Sequence, residues 1–169
     1  TWGEAIVAAA DTGAVVVLSA TDAEPRATSF LPEVAPGQQF AWLTPATTGT
    51  PEQGALFLCD PARQLYRVEL VQSPRPHFVA TAVAPVDTAK VSTRLTVLGD
   101  HVVVGSDAGE LLRFASADLQ PAPSVELGGR AVWGPYAAGD VVLTAVAGDE
   151  LVAVDAAGAV RWRQPPEHG

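Results

Sequence analysis

The chain is short of cysteine and lysine and has no methionine or asparagine, and these shortages exclude several classes of protein. Its single cysteine, Cys59, has no partner for an internal disulfide and excludes a zinc site built from several thiolates. One lysine, Lys90, and nine arginines stand against 19 acidic residues, which gives a formal net charge of −9. Because a nucleic-acid binder needs a cationic footprint to neutralise phosphates, nucleic acid is not expected as a partner.

Long apolar runs and helical periodicity are also missing. No stretch approaches the roughly 18 consecutive apolar residues of a membrane-spanning helix, so we expect no membrane insertion. Instead, short valine- and leucine-rich runs alternate with Gly, Asp and Pro. This pattern is typical of an all-β protein. With 48% hydrophobic residues, the chain of 169 residues can bury a sizeable core.

An internal repeat is the strongest pattern in the sequence. One strand–turn–strand unit recurs with spacings of 50, 46 and 40 residues between equivalent positions. The four copies lie at 6–8 with 15–18, 56–58 with 65–68, 99–104 with 109–114, and 139–143 with 149–154. Fixed-period similarity of this kind decides the fold where it is present.

A period of about 40–50 residues made only of strands matches the four-stranded blade of a β-propeller. We therefore predict one all-β domain of about four four-stranded antiparallel repeats. In each unit, an innermost strand precedes the shared hairpin and an outermost strand follows it. Because propellers close with about four to eight blades, the chain is either a four-blade disc, half of an eight-blade ring or a fragment of a larger propeller. The approximate units are 1–38, 39–85, 86–128 and 129–169.

The last unit carries a motif formed by Ala153, Asp155, Gly158 and Trp162. This motif resembles the repeat of PQQ-like (quinoprotein-type) propellers, which has Ala, Asp two residues later, a Thr-Gly turn and then Trp. The turn here is one residue shorter and lacks the Thr. The segment 103–109 is similar to the middle strand and turn of the same family, and the repeat as a whole is also WD40-like.

The resemblance implies the propeller fold of this family but not its PQQ-dependent catalysis. PQQ-dependent enzymes of this family use a calcium site with an amide ligand, an Asp base and, in many members, a vicinal cysteine pair. The chain has no Asn and only Cys59. We therefore expect no cofactor, no metal and no catalytic residue, and we favour a protein that is not an enzyme.

The isolated cysteine and histidines do not form a recognisable site. Cys59 follows the apolar run 56–58, which is typical of a buried strand residue rather than a nucleophile. His77 lies in a proline-rich connector, His101 in a turn and His168 beside the C-terminus. No two of these histidines have the two- or four-residue spacing of a histidine pair that binds a metal ion.

The four tryptophans are expected to pack between blades, as large flat side chains do well. They are Trp2, Trp42, Trp133 and Trp162. Trp133 lies in the predicted innermost strand of the last unit, 131–136. It is therefore our candidate for a side chain that faces the central channel and contacts a ligand.

These patterns favour a non-catalytic propeller module that acts as a protein-interaction or scaffold domain of a larger or oligomeric protein. Two alternatives stay open: a fragment or subunit of a quinoprotein-like, PQQ-dependent enzyme, and a non-catalytic ligand-sensing propeller. We expect a protein partner or self-association. The resemblance implies a periplasmic, envelope or secreted location over a cytoplasmic one, because PQQ-like propellers are common in exported bacterial proteins.

Overall fold

The computed structural model describes residues 1–33, 39–60, 64–86, 91 and 93–165. Within these ranges the chain forms fourteen strands and no helix. The strands are β1 (Ala5–Ala9), β2 (Val15–Ser19), β3 (Ala46–Thr47), β4 (Leu56–Cys59), β5 (Gln64–Val71), β6 (His77–Pro85), β7 (Thr96–Leu98), β8 (His101–Gly105), β9 (Glu110–Ala115), β10 (Pro121–Glu126), β11 (Ala131–Ala138), β12 (Val141–Val146), β13 (Leu151–Asp155) and β14 (Val160–Gln164).

The strands pair into four antiparallel sheets that follow the chain. Three sheets have four strands each, in the orders β3-β4-β5-β6, β7-β8-β9-β10 and β11-β12-β13-β14. In each of these three sheets the shared hairpin of the sequence repeat forms the middle pair, as in β4–β5 and β8–β9. The predicted all-β architecture of blade-like repeats is therefore confirmed.

The first sheet differs from the predicted four strands. It has only β1 and β2, and the chain after β2 adds isolated bridges between Leu18 and Pro25 and between Val15 and Phe30. Proline has no backbone N–H, so Pro25 cannot donate to a continuous ladder. On the other side of β1, a single bridge joins Trp2 to Ala5. Among the described residues, no strand takes the place next to β1 that β3, β7 and β11 hold in the other sheets.

The sheets stack face to face through three apolar clusters. The first cluster joins the first two sheets, with Trp2 and Val17 against Leu58. The second joins the middle sheets, and the third joins the last two through residues such as Val103 and Val142. Strand β4 is consequently buried at all of its residues, because both of its faces are covered. The inner strands β3, β7 and β11 are neighbours, which places the first strands of these sheets along one common edge.

Two arginines at equivalent positions of the repeat donate hydrogen bonds to the sheet that follows their own in the chain. The Nε of Arg67 on β5 donates to the carbonyl of Ser116 after β9, at 2.8 Å. The guanidinium of Arg113 on β9 donates to the carbonyl of Ala156 after β13, at 2.6 Å. Each arginine thus satisfies a turn carbonyl of its neighbour while its charge stays hydrogen-bonded.

The described part of the chain contains no helix with the length and apolar character needed to cross a bilayer.

Replacing Leu58 with Ala is expected to lower the free energy of unfolding by about 2–5 kcal/mol, because the truncation leaves a cavity between two sheets. Leu58 is 0% exposed. The measurement is equilibrium unfolding in urea. The matched control is Leu31→Ala, since Leu31 is 62% exposed and the change is the same. Equal losses in both variants would contradict the interface described above.

Candidate functional site

Three aromatic residues of the last sheet lie on the face that points away from the third sheet. Val142 and Val146 of β12 pack against the third sheet, so Leu143 and Ala145 face the other way. Residues directly opposite in an antiparallel pair share a face. Trp133 lies opposite Ala145, Tyr136 opposite Leu143 and Trp162 opposite Ala153. These pairings place all three aromatic residues on the outer side.

We call this surface the open face and define it by Trp133, Tyr136, Leu143, Leu151 and Trp162. Its three aromatic side chains are 48%, 42% and 44% exposed, in chain order. Exposed large aromatic side chains gathered on one sheet face are typical of an interaction surface.

Two irregularities in β11 bring Trp133 and Tyr136 to the same side. Strict alternation would place residues three apart on opposite faces. The register between β11 and β12 shifts between Ala131 and Trp133 and again between Trp133 and Tyr136. Gly134 lies within the second shift at φ +86°, and a Cβ there would come within 2.4 Å of the Leu143 carbonyl oxygen. Only glycine fits this close approach of the backbones.

A small cavity, which we call the inner cavity, lies where the innermost strands meet. Its volume is about 270 Å³, and its lining comes from Pro45–Thr47, Arg94–Val97, Tyr136 and Ala137. The Arg94 guanidinium carbon lies 4.1 Å from the centre of the Tyr136 ring. The Trp133 and Tyr136 rings are stacked at 4.8 Å with an interplanar angle of 24°. The Thr96 hydroxyl donates to the Pro135 carbonyl and so ties β7 to β11.

The four residues of the PQQ-like motif lie in the hairpin β13–β14. Ala153 is fully buried beneath Trp162, and Gly158 takes the positive φ of the turn. The Asp155 carboxylate accepts the N–H of Ala159 at 2.8 Å and pairs with Arg161 at 2.7 Å. The Ala159 hydrogen bond, assisted by the Arg161 charge, lowers the pKa of Asp155. This geometry gives Asp155 a role in holding the turn, and the assignment of the four residues to a family repeat stays a prediction.

Trp2 and Trp42 lie in the packed interior. Trp2 is fully buried, and its indole N–H donates to the Thr48 carbonyl at 2.9 Å. Trp42 is half-buried and stacks on Phe40 at 4.8 Å. The other two tryptophans are the exposed ones on the open face, and the prediction that Trp133 faces a central channel stays a prediction.

Cys59 and the histidines are scattered through the fold. Burial, with a smaller effect of the Asp60 charge, raises the pKa of the Cys59 thiol to about 12. The Nδ1 of His77 lies 2.8 Å from the Arg75 carbonyl. Burial lowers the pKa of His101, and His168 lies outside the described residues. No group of three or more His, Cys, Asp or Glu side chains within the described ranges is placed to hold a metal ion.

A larger apolar groove of about 470 Å³ lies between the first two sheets. Phe30, Tyr66 and Phe78 form part of its wall. Its lining is mostly apolar and offers no charged group that would select a ligand apart from Glu33 at its rim.

Arg94 and Tyr136 are the site residues that sequence reasoning missed. They are 42 residues apart and belong to different repeat units, so no local motif connects them. The available signal was positional: Tyr136 ends the predicted innermost strand 131–136, and Arg94 lies just before the third hairpin, where an innermost strand was expected.

Comparisons with solved structures identify the fold. BamB from Moraxella catarrhalis matches 97% of this chain and 46% of its own, with a TM-score of 0.63 and 14% identity. BBS1N, solved in complex with ARL6DN, matches 96% of this chain and 50% of its own, with a TM-score of 0.65 and 12% identity. PorZ from Porphyromonas gingivalis is described as an essential bacterial surface component of the type-IX secretion system. It matches 98% of this chain and 20% of its own, with a TM-score of 0.58 and 13% identity.

These neighbours are β-propeller proteins, and the likeness shows a propeller-type fold. The chain spans about half the length of the BamB and BBS1N chains that it matches. No protein-family model matches the chain, and no curated protein matches it. The PQQ-like resemblance is therefore supported at the level of the propeller fold.

The Cys59 thiol is expected not to react with Ellman's reagent at pH 8 in the native protein and to react fully in urea, because the reagent requires a thiolate. An exposed thiol loses its proton near pH 9.0, whereas burial holds the native thiol protonated to about pH 12. The free energy of unfolding should therefore be insensitive to Cys59 below pH 9.0 and fall as the pH rises from 9.0 towards 12. Equal reaction rates in native buffer and in urea would refute a buried Cys59.

Proposed function

We propose that this chain is a non-catalytic β-propeller module that mediates protein interaction within a larger or oligomeric assembly. The open face carries the proposal, because three half-exposed aromatic side chains share one side of a terminal sheet. Aromatic residues of this kind dominate the energy of protein interfaces. The BBS1N structure, which holds a protein partner, offers a parallel on a similar fold.

The first sheet offers a second apolar end to the stack. Ile6 pairs with Leu18 and Ala8 with Val16 on the side that points away from the second sheet. Ile6 is exposed, and Val16 and Leu18 are only half-buried. This surface has the same aliphatic character as the sheet faces that pack together inside the molecule.

A second copy of the chain is the partner that these two ends fit. The open face of one copy would pack on the first-sheet face of the other, as neighbouring sheets do within the chain. Two such contacts would close a ring of about eight sheets, within the range of known propellers. An exported or envelope location belongs to this proposal, since PorZ, on a similar fold, is a bacterial surface component.

Replacing Trp162 with Glu is expected to convert a dimer into a monomer, because it places a charge on the open face. The wild type should show about twice the chain mass of 17.4 kDa by light scattering on a size-exclusion column. The substitution should weaken association by at least about 30-fold, the effect of losing one interface hot spot.

The matched control is Val83→Glu, which adds the same charge at an exposed position of β6 in another sheet. This variant should keep the wild-type mass. A wild-type monomer at every concentration measured, or equal masses for the two variants, would overturn the proposed self-association.

A further inference from the structure

We propose that the inner cavity binds a ligand through a carboxylate group, with Arg94 as its anchor. The apolar body of the ligand would lie against Pro45, Val97 and the edge of the Tyr136 ring, which line the same cavity. This inference concerns a ligand site at the inner edge of the stack and does not depend on the packing of the open face against another protein.

Arg94 is a half-buried cation without a counter-charge. No hydrogen bond or ion pair to its guanidinium occurs among the described residues, and its Nε is buried without a partner. Arg75 and Arg130 differ from Arg94 because their side chains are exposed. Other guanidinium groups have protein partners, namely Arg26 with Glu52, Arg67 with Glu69, Arg161 with Asp155, Arg163 with Glu150, and Arg113 with turn carbonyls.

A half-buried cation loses part of its hydration, which costs free energy unless an anion or hydrogen-bond acceptor accompanies it. In a chain with a net charge of −9, acidic groups were available to pair with Arg94, yet none of the described ones does so. The contact with the Tyr136 ring offsets part of this cost through a cation–π interaction. It also holds the planar guanidinium in one orientation before any ligand arrives, which reduces the ordering that binding requires.

The surroundings favour a carboxylate over a phosphate. One guanidinium supplies two parallel N–H donors, which match the two oxygens of a carboxylate. Phosphate sites gather several cations or backbone N–H groups. Here Arg94 is the one cation of the lining, Pro45 and Val97 supply apolar surface, and the Thr96 hydroxyl already donates to Pro135.

The size of the site limits the ligand. The site is an open depression of about 270 Å³, which matches in size the contact with a carboxylate and a small apolar body. Trp133 stacks on one face of the Tyr136 ring and Arg94 lies over the ring, so the Trp133 indole reports on changes at Tyr136 without lining the cavity itself. A free aromatic acid and an acidic side chain beside an aromatic residue in a peptide share this chemistry.

The test is an NMR titration of the four tryptophan indole N–H signals, with the Trp133 signal assigned by Trp133→Phe. Phenylacetate represents the free acid, and the blocked dipeptide acetyl-Glu-Phe-amide represents the peptide. Phenylacetamide is the neutral isostere, and inorganic phosphate is the competing anion. The ionic strength is held constant, and the signals of the other tryptophans report on folding.

We expect the Trp133 signal to shift saturably with phenylacetate, with the dipeptide or with both. The ligand that binds more tightly identifies the source of the carboxylate. Phenylacetamide should bind at least about tenfold more weakly, and Arg94→Gln should weaken carboxylate binding to the same extent. Arg75→Gln, which removes an exposed arginine, should leave the binding unchanged.

Three results would overturn this site. They are unchanged binding to Arg94→Gln, equal binding of phenylacetamide, and the absence of a saturable shift up to about 20 mM, well above a Kd of about 1 mM. Saturation by phosphate as tight as by phenylacetate would also refute the carboxylate preference. Trp162→Glu should bind phenylacetate like the wild type, so a failure of self-association and a failure of this site are seen separately.

Discussion

Each sheet of this protein is apolar on both sides, and the rest of the structure depends on covering both. Strand β4 is buried at every residue because the first sheet lies on one side and the third on the other. No sheet of this kind is stable alone, so the four sheets stack and share three apolar interfaces. The arginines Arg67 and Arg113 add a polar link at the same point of successive sheets.

The same constraint explains where the candidate sites lie. A stack of four sheets has two faces that nothing in the described chain covers. The uncovered face of the last sheet carries Trp133, Tyr136 and Trp162, and the uncovered face of the first sheet carries Ile6. Along the inner edge, three short strands meet and leave the cavity where Arg94 rests on Tyr136. Protein association would therefore use the open face and ligand binding the inner cavity, and Tyr136 belongs to both.

The sequence predicted the hairpins and the sheet order because apolar runs and turn residues are local signals that repeat at a fixed period. It could not predict the bulges in β11 that turn Trp133 and Tyr136 to one side, because they depend on the pairing with β12. The contact of Arg94 with Tyr136 joins two repeat units and has no local signature. The role of Arg67 and Arg113 was visible only as a shared position, since their acceptors are backbone carbonyls.

Amide hydrogen exchange, measured at a concentration where the chain is monomeric, tests the stacked arrangement most directly. Stability within a protein is greatest where both faces of an element are packed. The account predicts the slowest exchange in β4 and β8, which lie in the middle sheets, and faster exchange in β1 and β14, which lie in the end sheets. Equal protection across all four sheets, or slower exchange in β1 than in β4, would contradict it.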